Sequence, residues 1–75
     1  MTKKKVFNEY TAELEVYTED GEPRSDCFIE SPCGNYTASL ACALGEGILS
    51  GRDGDEPIAD HVVENIEKWA LSNGY

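Results

Sequence analysis

Basic residues are scarce in this chain, and so are the groups that carry most enzyme chemistry. Six Lys and Arg stand against fifteen Asp and Glu, for a formal net charge of −9. Half of that basic complement is Lys3, Lys4 and Lys5, so residues 6–75 keep every acid against Arg24, Arg52 and Lys68, a net of −12. Such a chain lacks the basic footprint that neutralises phosphates, which excludes a direct nucleic-acid or anionic-membrane binder of the ordinary kind. Its charge suits a basic protein surface, or serves solubility alone. Histidine occurs once. His61 falls at the edge of an apolar helical stripe, where a boundary residue is the better reading than a general base.

The cysteines are three, Cys27, Cys33 and Cys42, with no C-x-x-C pair among them. Together with His61 they have the spacing C-x5-C-x8-C-x18-H, which is not that of a zinc site. An odd count without an export signal reads as free, mostly buried thiols. Neither Cys27 nor Cys33 has a basic neighbour in sequence to lower its pKa, so a thiol-dependent enzyme acting through Cys33 ranks well below the other readings. Asp53-x-Asp55 with Glu64 has part of a calcium-loop spacing. However, Pro57 and Ile58 stand where that loop needs its third ligand and its glycine. The glycines between 45 and 54 lie among acids that would repel a phosphate. No run approaches the ~20 apolar residues of a membrane span, and no apolar segment follows the basic start. The expectation is therefore a cytoplasmic non-enzyme without metal or cofactor.

What is present describes one small α+β domain. Residues 1–5 read as a flexible basic tail and residues 6–75 as a single domain. From Val6 to Thr18 the chain alternates: Tyr10, Ala12, Leu14 and Val16 point one way, and Phe7, Glu9, Thr11, Glu13, Glu15 and Tyr17 the other. Asp20-Gly21 is a hairpin turn signal. The returning strand, ending near Ser31, is registered to bury Cys27 and Ile29, because the opposite register would bury carboxylates. Residues 37–49 are apolar on nearly every side and predict a central buried helix. Residues 57–72 predict a second, amphipathic helix, with Pro57 in its first turn and Asp53, Asp55, Glu56 and Asp60 near its positive end. Glu64 and Lys68 are placed for an i,i+4 pair. The resulting architecture is ββαα, an antiparallel hairpin (about 6–18 and 24–31) packed against two helices. Its predicted core contains Leu14, Val16, Ile29, Leu40, Leu44, Ile48, Val62, Ile66 and Trp69. A bare two-stranded ribbon has exposed edges, which predicts a homodimer through the strand Tyr10–Tyr17.

Two helices cover only one face of such a hairpin. The other displays Glu9, Glu13, Glu15, Asp26 and Glu30 around Tyr17 and Phe28, with Phe7 beside them. These residues, Phe7 apart, form the candidate partner-binding site. Carboxylates two apart on a strand are ~6.7 Å apart, close to every second phosphate of a DNA strand at ~3.4 Å per nucleotide.

In size, acid excess and hairpin-plus-helices layout, the chain resembles small phage-encoded anti-defence proteins, including anti-CRISPR proteins and DNA mimics. The resemblance is one of class, without a shared motif. It implies stoichiometric inhibition of a nucleic-acid-handling host protein, such as a nuclease or CRISPR complex, through a basic surface of that partner. The alternative is an accessory interaction module of a phage or bacterial assembly that uses the same face without mimicry.

Overall fold

A computed structural model describes all residues 1–75. Its elements run β1 (Thr2–Phe7), β2 (Tyr10–Glu19), β3 (Glu22–Glu30), β4 (Tyr36–Ser39), α1 (Leu40–Glu46), β5 (Ile48–Gly51), β6 (Gly54–Pro57) and α2 (Asp60–Ser72). The six strands form one antiparallel sheet in chain order. The α+β class is as the sequence indicates, but the sheet is three times the width of the expected hairpin.

The β2–β3 hairpin is the framework. Asp20 and Gly21, with φ of 51° and 80°, make a tight two-residue connection whose left-handed backbone matches the twist of the flanking strands. The register pairs Ala12 with Ile29 and Leu14 with Cys27, and all four side chains are buried. Leu40 and Ala43 of α1 join them, as do Leu49 of β5 and Val62, Val63, Ile66 and Ala70 of α2. Both helices therefore lie on the same side of the sheet, and the odd residues of β2 with the even residues of β3 face away from them.

The N-terminal five residues are not a tail. They contribute most of β1, which pairs with β2 from Thr2↔Glu15 to Phe7↔Tyr10. The alternation beginning at Val6 is broken by a second left-handed turn at Asn8 (φ 48°) and Glu9 (φ 73°). Reversal there places Phe7 beside Tyr10 on the helix side, not on the outer face. Its ring meets Trp69 of α2 edge-on, with centroids 5.7 Å apart. All three lysines are engaged: Lys3 Nζ donates to Asn73 Oδ1 (2.8 Å), Lys4 pairs with Glu13, and Lys5 Nζ sits 5.4 Å from the Phe7 centroid. Lysines on an outermost strand also discourage pairing with another chain.

The stretch 37–49 is the main departure from expectation. Tyr36–Ser39 pairs with β3 and with β5, and α1 is a seven-residue helix with only Leu40 and Ala43 buried. Ser39 caps its start by accepting from Cys42 N (3.2 Å). Gly47, at φ 68°, ends it in the left-handed conformation, and Ile48 and Leu49 continue as strand. A short apolar run reads equally as buried helix or buried strand, and sheet pairing decides between them. Leu44, assigned to the core, is 44% exposed, while Leu49 is fully buried. Val16, Ile48 and Trp69 are half-buried.

Asp53 lies in the turn between β5 and β6, and Asp55, Glu56 and Pro57 lie in β6. They are therefore not at the start of a helix. Only Asp60 occupies the first turn of α2, whose cap residue Ala59 offers no side-chain bond. Glu64 and Lys68 form no ion pair; the two present are Lys4–Glu13 and Arg24–Glu22. Strand β2 is flanked on both sides, so it cannot be the edge of a dimer. Strand-to-strand pairing of two copies would have to use β1 or β6.

Core truncation checks this arrangement. Leu14→Ala or Ile66→Ala should each cost about 2–5 kcal/mol in urea unfolding, a large share of the stability of so small a domain. Leu44→Ala should cost under about 1 kcal/mol, because its side chain is already nearly half in solvent. Equal losses at positions 14 and 44 would contradict the burial pattern.

An acidic sheet face as candidate functional site

The sheet brings most of the candidate residues onto one surface. Cross-strand pairing sets Glu15 directly opposite Asp26 and Glu13 opposite Phe28. Glu30 lies opposite Thr11 on one side and Thr37 on the other. Tyr17, opposite Arg24, completes the row toward the hairpin tip. Six of the seven expected residues thus share the uncovered face. The exception is Glu9, which the Asn8–Glu9 turn holds at the sheet's end. There Asn8 Nδ2 lies 3.4 Å from His61 Nε2.

The face is only partly neutralised. Lys4 Nζ is 3.3 Å from Glu13 Oε2, and Arg24 is 3.7 Å from Glu22 Oε2. Glu15, Asp26 and Glu30 have no cationic partner. Asp26 accepts instead from Tyr17 Oη (3.1 Å). That bond to the carboxylate, with burial and the negative charges of Asp26 and Glu19 behind it, raises the pKa of the Tyr17 phenol. Like charges directly opposed on a sheet are mildly destabilising, so the Glu15–Asp26 pairing works against the fold rather than for it. Phe28, 52% exposed, stands among these acids. It borders a depression whose rim also includes Lys4, Thr11, Glu13, Glu30 and Thr37.

Sequence reasoning placed Thr11 on this surface but missed Lys4 and Thr37. It also missed Glu19, Glu22 and Asp55, which the same pairing places on this side. The one local signal bearing on Lys4 was Asn8, a residue suited to left-handed backbone, just ahead of the alternating segment.

A second polar group lies on the helix side. Cys33 is exposed, and the hydroxyl of Ser31, 3.2 Å away, together with the backbone N–H of Asn35, holds its thiol below the ordinary range despite nearby Glu56. Tyr10 is shifted upward by burial, and further by Glu56 and Cys33. One carboxylate oxygen of Glu56 is enclosed without a hydrogen-bond partner. No group of His, Cys, Asp and Glu is arranged to hold a metal. Contrary to expectation, Cys42 is exposed along with Cys33, and only Cys27 is buried. No helix is long and apolar enough to cross a membrane.

The thiols give a direct check. Burial pushes Cys27 up to about 11, whereas Cys33 is shifted down. Iodoacetamide near pH 8 should therefore modify Cys33 well before Cys27, of which only about one molecule in a thousand would be thiolate. Equal labelling in the folded chain would contradict this. Because the folded-state pKa of Cys27 exceeds the unfolded value, its contribution to stability is complete below pH 9 and is lost as pH rises from 9 to about 11. Cys27→Ala should flatten the fall in unfolding free energy over that interval, whatever its effect on the absolute value.

Comparison with protein-family models, with curated proteins and with solved structures finds no match to this chain.

Proposed function

We propose that this protein is a stoichiometric inhibitor that binds a basic surface of a nucleic-acid-handling host protein through the outer face of its sheet. The observation that carries this reading is the opposition of Glu15 and Asp26, beside Glu13 and Glu30, on the one large surface that neither helix covers. That pairing costs folding free energy, and neither carboxylate has a cationic partner to offset it; the one local contact is the hydrogen bond that Asp26 accepts from Tyr17. Carboxylates two apart along β2 and β3 repeat at ~6.7 Å, a spacing compatible with occupation of a groove that otherwise tracks phosphates. The reading extends the class resemblance to anti-defence proteins such as anti-CRISPR proteins. It requires neither catalysis nor a cofactor.

Paired charge reversals on the two sides of the molecule test it. Glu13 is engaged by Lys4, so the informative pair is Glu15→Lys with Glu30→Lys, which leaves both ion pairs intact. This double variant should weaken capture of the partner from host lysate by on the order of tenfold or more, with melting unchanged or slightly raised. Glu64→Lys with Glu67→Lys on α2 should have far less effect. Added at a one-to-one ratio, the wild-type chain should prevent the captured partner from shifting a labelled nucleic acid. Binding should fall steeply as salt rises from about 0.05 to 0.5 M. If the helix variant is the damaging one, or the partner binds nucleic acid undisturbed, the reading fails. A salt-insensitive contact abolished by Phe28→Ala would assign the face to an apolar interaction module.

A further inference from the structure

The depression on the outer face already holds a cation, and that cation belongs to the chain itself. Lys4 reaches across from β1 to Glu13, with its ammonium 3.3 Å from Oε2. The rest of the depression is unmet. Glu30 has no cationic partner, and the only cation stacked on a ring in the molecule is Lys5 over Phe7, so the face of Phe28 is free. Acidity alone would not point to a ligand. An ammonium seated beside one carboxylate, next to a second carboxylate and an exposed aromatic ring, does.

We infer that this depression is a seat for an arginine side chain of a basic partner, and that Lys4 is its intramolecular plug. The inference rests on the outer face being the binding face. Glu13 and Phe28 are direct cross-strand neighbours, and Glu30 lies two residues along from Phe28. The diagonal from Glu13 to Glu30 is therefore ~7–8 Å between strands, within reach of long side chains, so both carboxylates can turn toward one cation, which an ammonium would meet only as a point charge. A guanidinium differs in shape: its planar fork carries donors on opposite sides and stacks flat on an aromatic ring. It can engage Glu13 and Glu30 together while lying on Phe28, which satisfies every group that Lys4 leaves unmet. Both members of the Lys4–Glu13 pair are largely exposed, with side-chain accessibilities of 65% and 43%, so the contact is weak enough to be displaced.

The test is a titration of the isotopically labelled full chain with hexa-arginine and hexa-lysine peptides at low salt, followed by backbone amide shifts. Hexa-arginine should bind about fivefold tighter than hexa-lysine, with the largest shifts at Glu13, Phe28 and Glu30. Removing the plug by Lys4→Gln should tighten hexa-arginine binding about two- to fivefold, since the peptide no longer competes with an internal cation. Phe28→Ala should abolish the preference for arginine while leaving salt-sensitive binding of both peptides. Each variant is first shown by thermal melting to remain folded. Equal affinity for the two peptides, or weaker hexa-arginine binding by Lys4→Gln, overturns the seat but leaves the acidic binding face standing. Failure of both peptides to bind, or shifts confined to the helix side, overturns the seat and the binding face together.

Discussion

The register of the β2–β3 hairpin is the constraint on which the rest of the molecule depends. Side chains on a strand alternate between faces, so a slip of one residue would send Ala12, Leu14, Cys27 and Ile29 into water and drive Glu13, Glu15, Asp26 and Glu30 against the helices. Burying unpaired carboxylates is far costlier than any loss of alternation elsewhere. The Asp20–Gly21 turn sets the pairing, and the charge pattern penalises every alternative. The core is small, twelve buried residues in one cluster, and Ala12, Leu14, Cys27 and Ile29 are its share from the surface this register creates.

From that surface the division of labour follows. Helices α1 and α2 both lie on the apolar side, and α2 is tied down at each end of β1. His61 lies against Asn8, Trp69 against Phe7, and Asn73 accepts from Lys3. The opposite side is left as an open sheet. Strand β1 links the two: alternation sends Lys3 and Lys5 to the helix side and Lys4 to the acidic side. A cluster of three consecutive lysines thus anchors a helix, blunts a sheet edge and tempers one carboxylate of the outer face, instead of acting as a basic patch.

Acidic residues elsewhere have different circumstances. Asp60 sits in the first turn of α2, where the helix dipole favours it, and Glu64 and Asp60 border a cleft between the two helices with Leu44. Glu15 and Asp26 have no cation or helix dipole beside them; Asp26 has only the hydrogen bond from Tyr17. Their face also carries Phe28, the most exposed aromatic ring of the chain. Opposed carboxylates and an exposed ring therefore lie together on this surface.

By itself the sequence determined the α+β class, the β2–β3 hairpin with its turn and register, the amphipathic helix α2, and membership of Glu13, Glu15, Tyr17, Asp26, Phe28 and Glu30 in one face. Each depends on local signals: period-two alternation, an Asp-Gly turn, a 3.6-residue apolar stripe. Only the tertiary structure decided the rest. Whether 36–51 became one buried helix or strand, helix and strand depended on the free edge of β3, whose pairing groups Tyr36–Ser39 could satisfy. Whether Met1–Lys5 was tail or strand depended on the other edge of the hairpin, next to β2. Composition in those segments was compatible with either outcome. Backbone hydrogen bonds contributed by residues distant in sequence are invisible to local pattern, and here they settled both ends of the sheet.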